Sequence, residues 1–134
     1  CTLRREHHAK LYCEAVDCQG VQLFPLHPED VDGGYEEGGT LSVDELKFTV
    51  WHTPGHTKGG VVLLCGDELL YAGDTVFQRS IGRTEMDRSL CKIARLPISP
   101  KAQLLPGHGD FSTLGEERSN NFYIKHALRN AKAE

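Results

Sequence analysis

Hydrophobic residues in this chain come in short runs, and most runs end at a turn built from glycine, proline or aspartate. Thr40 to Val43 and Leu46 to Trp51 read as two strands around an Asp44-Glu45 turn. Val61 to Cys65 (VVLLC) is an apolar strand closed by Gly66-Asp67. Leu69 to Ala72 (LLYA) is a second one, running into Gly73-Asp74-Thr75. Gln103 to Leu105 is a third, running into Pro106-Gly107-His108-Gly109. Helical spacing of Leu90, Ile93 and Ala94 predicts a helix over Arg88 to Arg95, and Phe122 to Ala133 predicts another. The start of the chain admits two readings. Leu3 to Tyr12 is rich in helix formers, while Lys10 to Val16 (KLYCEAV) nearly alternates and reads as a strand. Val21 to Leu26 is a short apolar run, and Asp30 to Gly39 is an acidic, glycine-rich loop. Tyr12, Trp51 and Tyr71 are expected in the core. There is no internal repeat and no low-complexity linker. The pattern predicts one α/β domain over residues 1–134, with stacked sheets inside and helices outside.

Composition agrees with a folded domain. The 134 residues are 39% hydrophobic and 25% charged, and a chain of this length buries roughly two-thirds of its unfolded surface. A net charge of −4 without a basic stripe argues against nucleic acid as a partner. Arg4-Arg5 and Arg129 to Lys132 are short, terminal and read as solvated helix faces. No apolar run reaches the roughly 20 residues of a membrane span. The five cysteines (Cys1, Cys13, Cys18, Cys65 and Cys91) contain no Cys-x-x-Cys pair. They read as reduced thiols of a cytoplasmic protein. The chain begins at Cys1 rather than Met, which leaves a removed targeting segment open.

Three polar residues share one placement. His56 follows a strand through Thr53-Pro54-Gly55, Asp74 follows Leu69 to Ala72 through Gly73, and His108 follows Gln103 to Leu105 through Pro106-Gly107. Each is a metal-ligand type just beyond the end of an apolar strand, where loops on a rigid scaffold carry sites. Singly, each fits a turn histidine or a capping aspartate. Three in one short chain point to a site. No Gly-x-Ser-x-Gly elbow and no phosphate-binding glycine loop occurs.

Several ordered motifs carry a family resemblance. They are His52-Thr-Pro-Gly-His56-Thr57, Tyr71-Ala-Gly-Asp74-Thr75-Val-Phe77, Ser80-Ile-Gly-Arg83-Thr84 and Leu105-Pro-Gly-His108-Gly109. Phe111-Ser-Thr-Leu-Gly115-Glu-Glu-Arg118-Ser-Asn-Asn121 continues the series. Over Gly39 to Phe122 the chain resembles the metallo-β-lactamase superfamily, in its glyoxalase II-like (hydroxyacylglutathione hydrolase-like) branch. The resemblance implies an αββα sandwich, two packed β-sheets flanked by helices, with two metal ions at one edge. It implies that His56 binds the first metal, that His108 binds the second, and that Asp74 bridges both as the catalytic carboxylate. Imidazole and carboxylate suit zinc, with iron as the other metal to expect.

The chain also departs from the family pattern. The His-x-His-x-Asp-His motif, which supplies four ligands in the family, is absent, and His7-His8 does not replace it. Leu3 to Tyr12 resembles the helix and strand that follow that motif. The chain therefore reads as an N-terminally truncated domain, a spliced product or a degenerate relative, with metal held weakly or in part. The interval from Thr84 to Leu105 is shorter than in the family and lacks its Leu-Pro-Gly-Gly stretch after Glu85. Arg83 and Lys58 are weak substrate-binding candidates, Arg83 also fitting a role in fixing its loop. Thr57 and Thr75 are expected as caps or as donors behind the ligands, His52 at the rim, and His27 and His126 on the surface. The implied function is hydrolysis of small-molecule thioesters such as glutathione conjugates, a metal-bound hydroxide attacking the carbonyl. The alternatives are a persulfide dioxygenase-like oxidoreductase with one iron, and a non-catalytic remnant of the fold. Oligomeric state is open.

Overall fold

Strand-forming residues that alternate between two faces build the centre of the molecule. The computed structural model describes residues 2–22, 24–82 and 86–133. In chain order its elements are α1 (Thr2–His7), β1 (Thr40–Val43), β2 (Leu46–His52), β3 (Val61–Cys65), β4 (Leu69–Gly73), β5 (Val76–Phe77), β6 (Ser80–Ile81), α2 (Asp87–Ala94), β7 (Gln103–Pro106), β8 (Ser112–Thr113), α3 (Leu114–Asn120) and α4 (Phe122–Ala133). Six strands form one sheet in the order β1-β2-β3-β4-β7-β8, and β5 and β6 form a separate hairpin. β1 to β4 are an antiparallel meander, and β7 then joins β4 in parallel. At the β1–β2 turn Asp44 takes a left-handed φ of 52°, which a short polar side chain tolerates.

One face of the sheet is covered by helices. Val62, Leu64, Leu70, Ala72 and Leu104 point from alternate strand positions into a core with Leu90 and Ile93 of α2 and Ile124 and Ala127 of α4. Burying each large side chain contributes about 1.5–3 kcal/mol. The core explains why α2 and α4 stay docked. The opposite face is also apolar, carrying Phe48, Leu63, Leu69, Tyr71 and Leu105 in register, and it is only half-buried. Phe48 and Tyr71 meet edge-on there with centroids 5.8 Å apart. The α/β layering thus matches expectation, with β5–β6 as the second and smaller sheet among the described residues. Tyr71 does not join the core. It is 40% exposed, because its strand position turns it onto the half-covered face.

The N-terminal reading is corrected as well. Thr2–His7 is helical, but residues 10–16 are not a strand. Tyr12 makes an isolated bridge to Gly33 and lies exposed, and Ala15–Asp17 is a 3₁₀ turn. The backbone there is satisfied by a loop instead, with Leu11 N–H donating to the Asp32 carboxylate at 2.7 Å and Cys13 N–H to the Gly33 carbonyl at 3.1 Å. The described cysteines form no disulfide. Among the described residues no helix is long and apolar enough to cross a membrane.

A buried polar cluster locks α3 and α4 to the β5–β6 hairpin. Glu117 is fully buried, and its charge meets neutral donors. Ser112 Oγ donates to Oε1 at 2.7 Å, while the Arg79 amide and Asn121 Nδ2 donate to Oε2, each at 2.8 Å. Asn121, also buried, donates to the Ser80 carbonyl at 3.1 Å and caps α4 by accepting from Tyr123 and Ile124 N–H. Glu117→Ala strands these donors without an acceptor, so it is expected to destabilise the fold by roughly 3 kcal/mol or more. Glu117→Gln, which keeps one acceptor oxygen, is expected to cost less. Urea unfolding midpoints of the two variants check both the size and the order.

Candidate functional site

The strand directions place the site. β2 is antiparallel to β3, β3 to β4, and β4 is parallel to β7. β2, β4 and β7 therefore run the same way, and their carboxyl ends lie along one edge of the sheet. His56, Asp74 and His108 each follow one of those ends. Gly73 closes β4 with a φ of 52°, a left-handed conformation that glycine adopts without a Cβ penalty. Its carbonyl accepts the Gly107 amide at 2.8 Å, which ties the start of the Asp74 turn to the start of the His108 turn.

The three candidate side chains meet. His56 Nε2 is 3.3 Å from Asp74 Oδ2, and His108 Nε2 is 3.3 Å from Asp74 Oδ1. Each imidazole faces a different oxygen of one carboxylate. Exposure is uneven, with the His108 side chain 76% accessible against 39% for His56 and 31% for Asp74. Phe77 presents an edge-on ring to His108 at 5.9 Å. Two glycines keep the space open. A Cβ at Gly107 would lie 2.6 Å from Asp74 Oδ1, and one at Gly82 would lie 2.0 Å from the Asp74 carbonyl oxygen and 3.0 Å from His56 Nδ1. His56 Nδ1 is itself buried and without a hydrogen-bond partner. Among the described residues, no three His, Cys, Asp or Glu side chains form a group that could hold a metal ion.

The loop between β2 and β3 that carries His56 is braced from several sides. Thr53 N–H donates to the Gly60 carbonyl at 2.8 Å, and Gly55 N–H to the Thr57 carbonyl at 2.9 Å. The buried hydroxyls of Thr53 and Thr75 lie 3.3 Å apart, linking this loop to the Asp74 turn. Ser89 and Lys92 of α2 donate to the carbonyls of Pro54 and His52 at 2.7 and 2.9 Å. Glu37 pairs with Lys92 and accepts the His52 amide at 2.6 Å. Burial acts to raise the Glu37 pKa, but these hydrogen bonds outweigh it and hold the group below its ordinary value. Asp17 accepts from the Thr57 hydroxyl at 2.6 Å and from the Gly59 amide at 3.2 Å.

Lys58, a weak substrate candidate, is exposed in the same loop two residues after His56. Arg83, the other candidate, lies outside the described residues. Thr57 donates its hydroxyl to Asp17 rather than to one of the three candidates, and the buried Thr75 hydroxyl faces Thr53. His126 stacks on Phe122 in α4 at 6.1 Å, with no contact to the three. Gly82, Gly107 and Asp17 escaped the sequence reading. The glycines were visible in their motifs as turn formers, but not as the floor beneath a carboxylate. Asp17 carried no local signal, since its partners lie forty or more positions away.

Against this geometry, the family model of the metallo-beta-lactamase superfamily matches residues 3–116. The chain belongs to that superfamily. Within the metallo-β-lactamase superfamily it is similar to the hydroxyacylglutathione hydrolase GloC of Haemophilus influenzae. The two are 31% identical over 97 residues, covering 66% of this chain and 46% of that protein. It is also similar to a hydroxyacylglutathione hydrolase of Xylella fastidiosa, 39% identical over 71 residues, or 48% of this chain and 27% of the relative. Among solved structures, TTHA1623 in a di-iron-bound form superposes with a TM-score of 0.71 and 28% identity, over 90% of this chain and 68% of that one. The chain thus spans about half the length, or less, of the curated relatives it matches.

The glycine floor makes a specific expectation. Gly107→Ala puts a methyl group against the end of the Asp74 side chain, which can swing away, and within 3.3 Å of the Gly73 backbone, which cannot, so the stability loss is expected to be about 1–3 kcal/mol. The contact between Asp74 and His108 is expected to break. A crystal structure of the variant with Asp74 Oδ1 still facing His108 Nε2 would contradict this.

Proposed function

We propose that this chain supplies part of a metal-dependent hydrolase site that acts on thioesters of the hydroxyacylglutathione class. The observation that carries the reading is the splayed pair of contacts, His56 Nε2 and His108 Nε2 on opposite oxygens of Asp74. A carboxylate shared in this way fits a bridge between two ions, and the donor types suit zinc, with iron the other candidate. His56 and Asp74 would hold one ion, and Asp74 and His108 the other. When bound, such a pair lowers the pKa of a water and polarises the carbonyl it attacks. The chain's own residues do the positioning. Gly82 and Gly107 leave room around Asp74, and Phe77 borders His108 with an apolar ring beside the exposed side of the site. The substrate class rests on the likeness to the two hydroxyacylglutathione hydrolases.

Two donors per ion fall short of the three or more protein ligands usual for zinc. The isolated chain is therefore expected to bind Zn²⁺ or Co²⁺ with a dissociation constant in the micromolar range or weaker. Asp74→Ala is expected to abolish that binding, and His27→Ala to leave it intact. Calorimetric titration reads the affinities, and thiol release from a panel of acyl-glutathione thioesters reads activity in parallel. Metal binding or metal-dependent thiol release that survives Asp74→Ala would overturn the reading.

A further inference from the structure

The His56 loop depends on a residue far away in sequence. Asp17 lies at the end of a 3₁₀ turn whose backbone is fixed by Asp17 N–H to the Glu14 carbonyl at 2.9 Å and Cys18 N–H to the Ala15 carbonyl at 3.2 Å. The turn is anchored beneath by Cys18, which is 2% exposed. It is anchored at its start by the Cys13–Gly33 backbone bond and by Glu14 Oε1, which accepts the Tyr35 amide at 2.5 Å. From this platform both oxygens of Asp17 reach the residues that follow His56. Oδ2 accepts the Thr57 hydroxyl at 2.6 Å, within the range of a strong bond to an ionised acceptor. Oδ1 accepts the Gly59 amide at 3.2 Å.

The seat is tight. A Cβ at residue 59 would lie 2.8 Å from Asp17 Oδ2 and 2.5 Å from Glu14 Cβ, so only glycine lets the carboxylate sit there. Thr57 is also the knot of the loop, because its carbonyl accepts from Gly55 at 2.9 Å and from Gly60 at 3.4 Å. Holding Thr57 therefore holds both sides of His56. No other side chain among the described residues donates to or accepts from the stretch 57–59.

We infer that Asp17 is a positioning residue for His56, a clamp from the N-terminal segment that fixes the loop through Thr57 and Gly59. It touches neither His56 nor Asp74 and acts only through the loop. The inference rests on the proposed role of His56 for its effect on metal, but its effect on the loop is independent of that role.

Two measurements on the full chain separate these levels. Amide hydrogen exchange in Asp17→Ala is expected to lose at least tenfold protection at Gly59 while the amides of Val50 in β2, bonded to the Gly39 carbonyl, and of Val62 and Leu64 in β3 keep theirs. Asp17→Asn, which retains an acceptor oxygen, is expected to restore part of the protection. Unchanged exchange at Gly59, or equal loss across β2 and β3, would overturn the clamp. Co²⁺ titration supplies the second readout. Asp17→Ala is expected to weaken binding about tenfold, the range seen when the support behind a ligand is removed. In a His56→Ala background the same change is expected to have no further effect. A further loss in that background would show that Asp17 acts on general stability rather than on His56. If the unsubstituted chain binds no Co²⁺, the metal reading fails while the exchange data still decide the clamp.

Discussion

Gly73 ends β4 in a left-handed turn, and its carbonyl accepts the Gly107 amide at 2.8 Å. This bond joins two parallel neighbours at their carboxyl ends, where the sheet ladder stops and the chain must turn. Asp74 follows the acceptor directly and His108 follows the donor, so a single backbone contact sets the spacing of carboxylate and imidazole. Any larger residue at 107 would contest the space of Asp74 Oδ1. The third member, His56, reaches the same carboxylate because β2 runs parallel to β4 with one strand between. Strand direction and two glycines thus set where the three side chains meet, and side-chain bonds from distant residues then hold the His56 loop.

Rigidity behind the site comes from two polar devices and one apolar layer. The helical layer over Val62, Leu70 and Leu104 keeps the sheet from shearing. Ser89 and Lys92 carry that order outward by bonding the carbonyls just before His56. On the other flank Glu117 and Asn121 pin the β5–β6 hairpin that follows Asp74. A buried carboxylate with only neutral donors is costly unless every donor is in place. That cost makes the Glu117 cluster specific, because a displaced hairpin would leave a buried charge unpaired.

Much of this was legible in the residues, and the gaps have physical causes. The strands at 40–43, 46–52, 61–65, 69–73 and 103–106 and the helices at 87–94 and 122–133 follow from apolar runs cut by glycine and aspartate. The placement of His56, Asp74 and His108 past strand ends was legible for the same reason. β5 and β6 are two residues each, too short for periodicity to register. α3 went unread although Thr113 and Glu116 mark its start, Thr113 Oγ1 accepting the Glu116 amide at 3.1 Å. The alternation at 10–16 misled because a loop bonded through Asp32 and Gly33 took up the backbone groups that a strand would have paired. Tyr71 misled because LLYA is apolar throughout and carries no polar position to mark the half-covered face.

The three site residues do not stand on equal footing. His56 sits on a loop tied by Thr53, Thr57, Gly60 and Asp17, and its ring packs against Gly82. Its loop geometry is fixed before anything binds, so little loop entropy remains to be lost. His108 is the reverse case. Its side chain is 76% exposed, its turn continues into Gly109 at a φ of 78°, and Phe77 borders it from one edge. Fixing that imidazole on a ligand costs rotamer freedom of the kind that folding already spent at His56. The His108 side chain is also about twice as open to water as that of the half-buried His56. The two oxygens of Asp74 therefore face unlike neighbours, one partly buried and one largely exposed. On the proposed metal-site reading, a cation at Asp74 would meet the smaller reorganisation cost on the Oδ2 side, toward His56, even though the two contacts measure the same 3.3 Å.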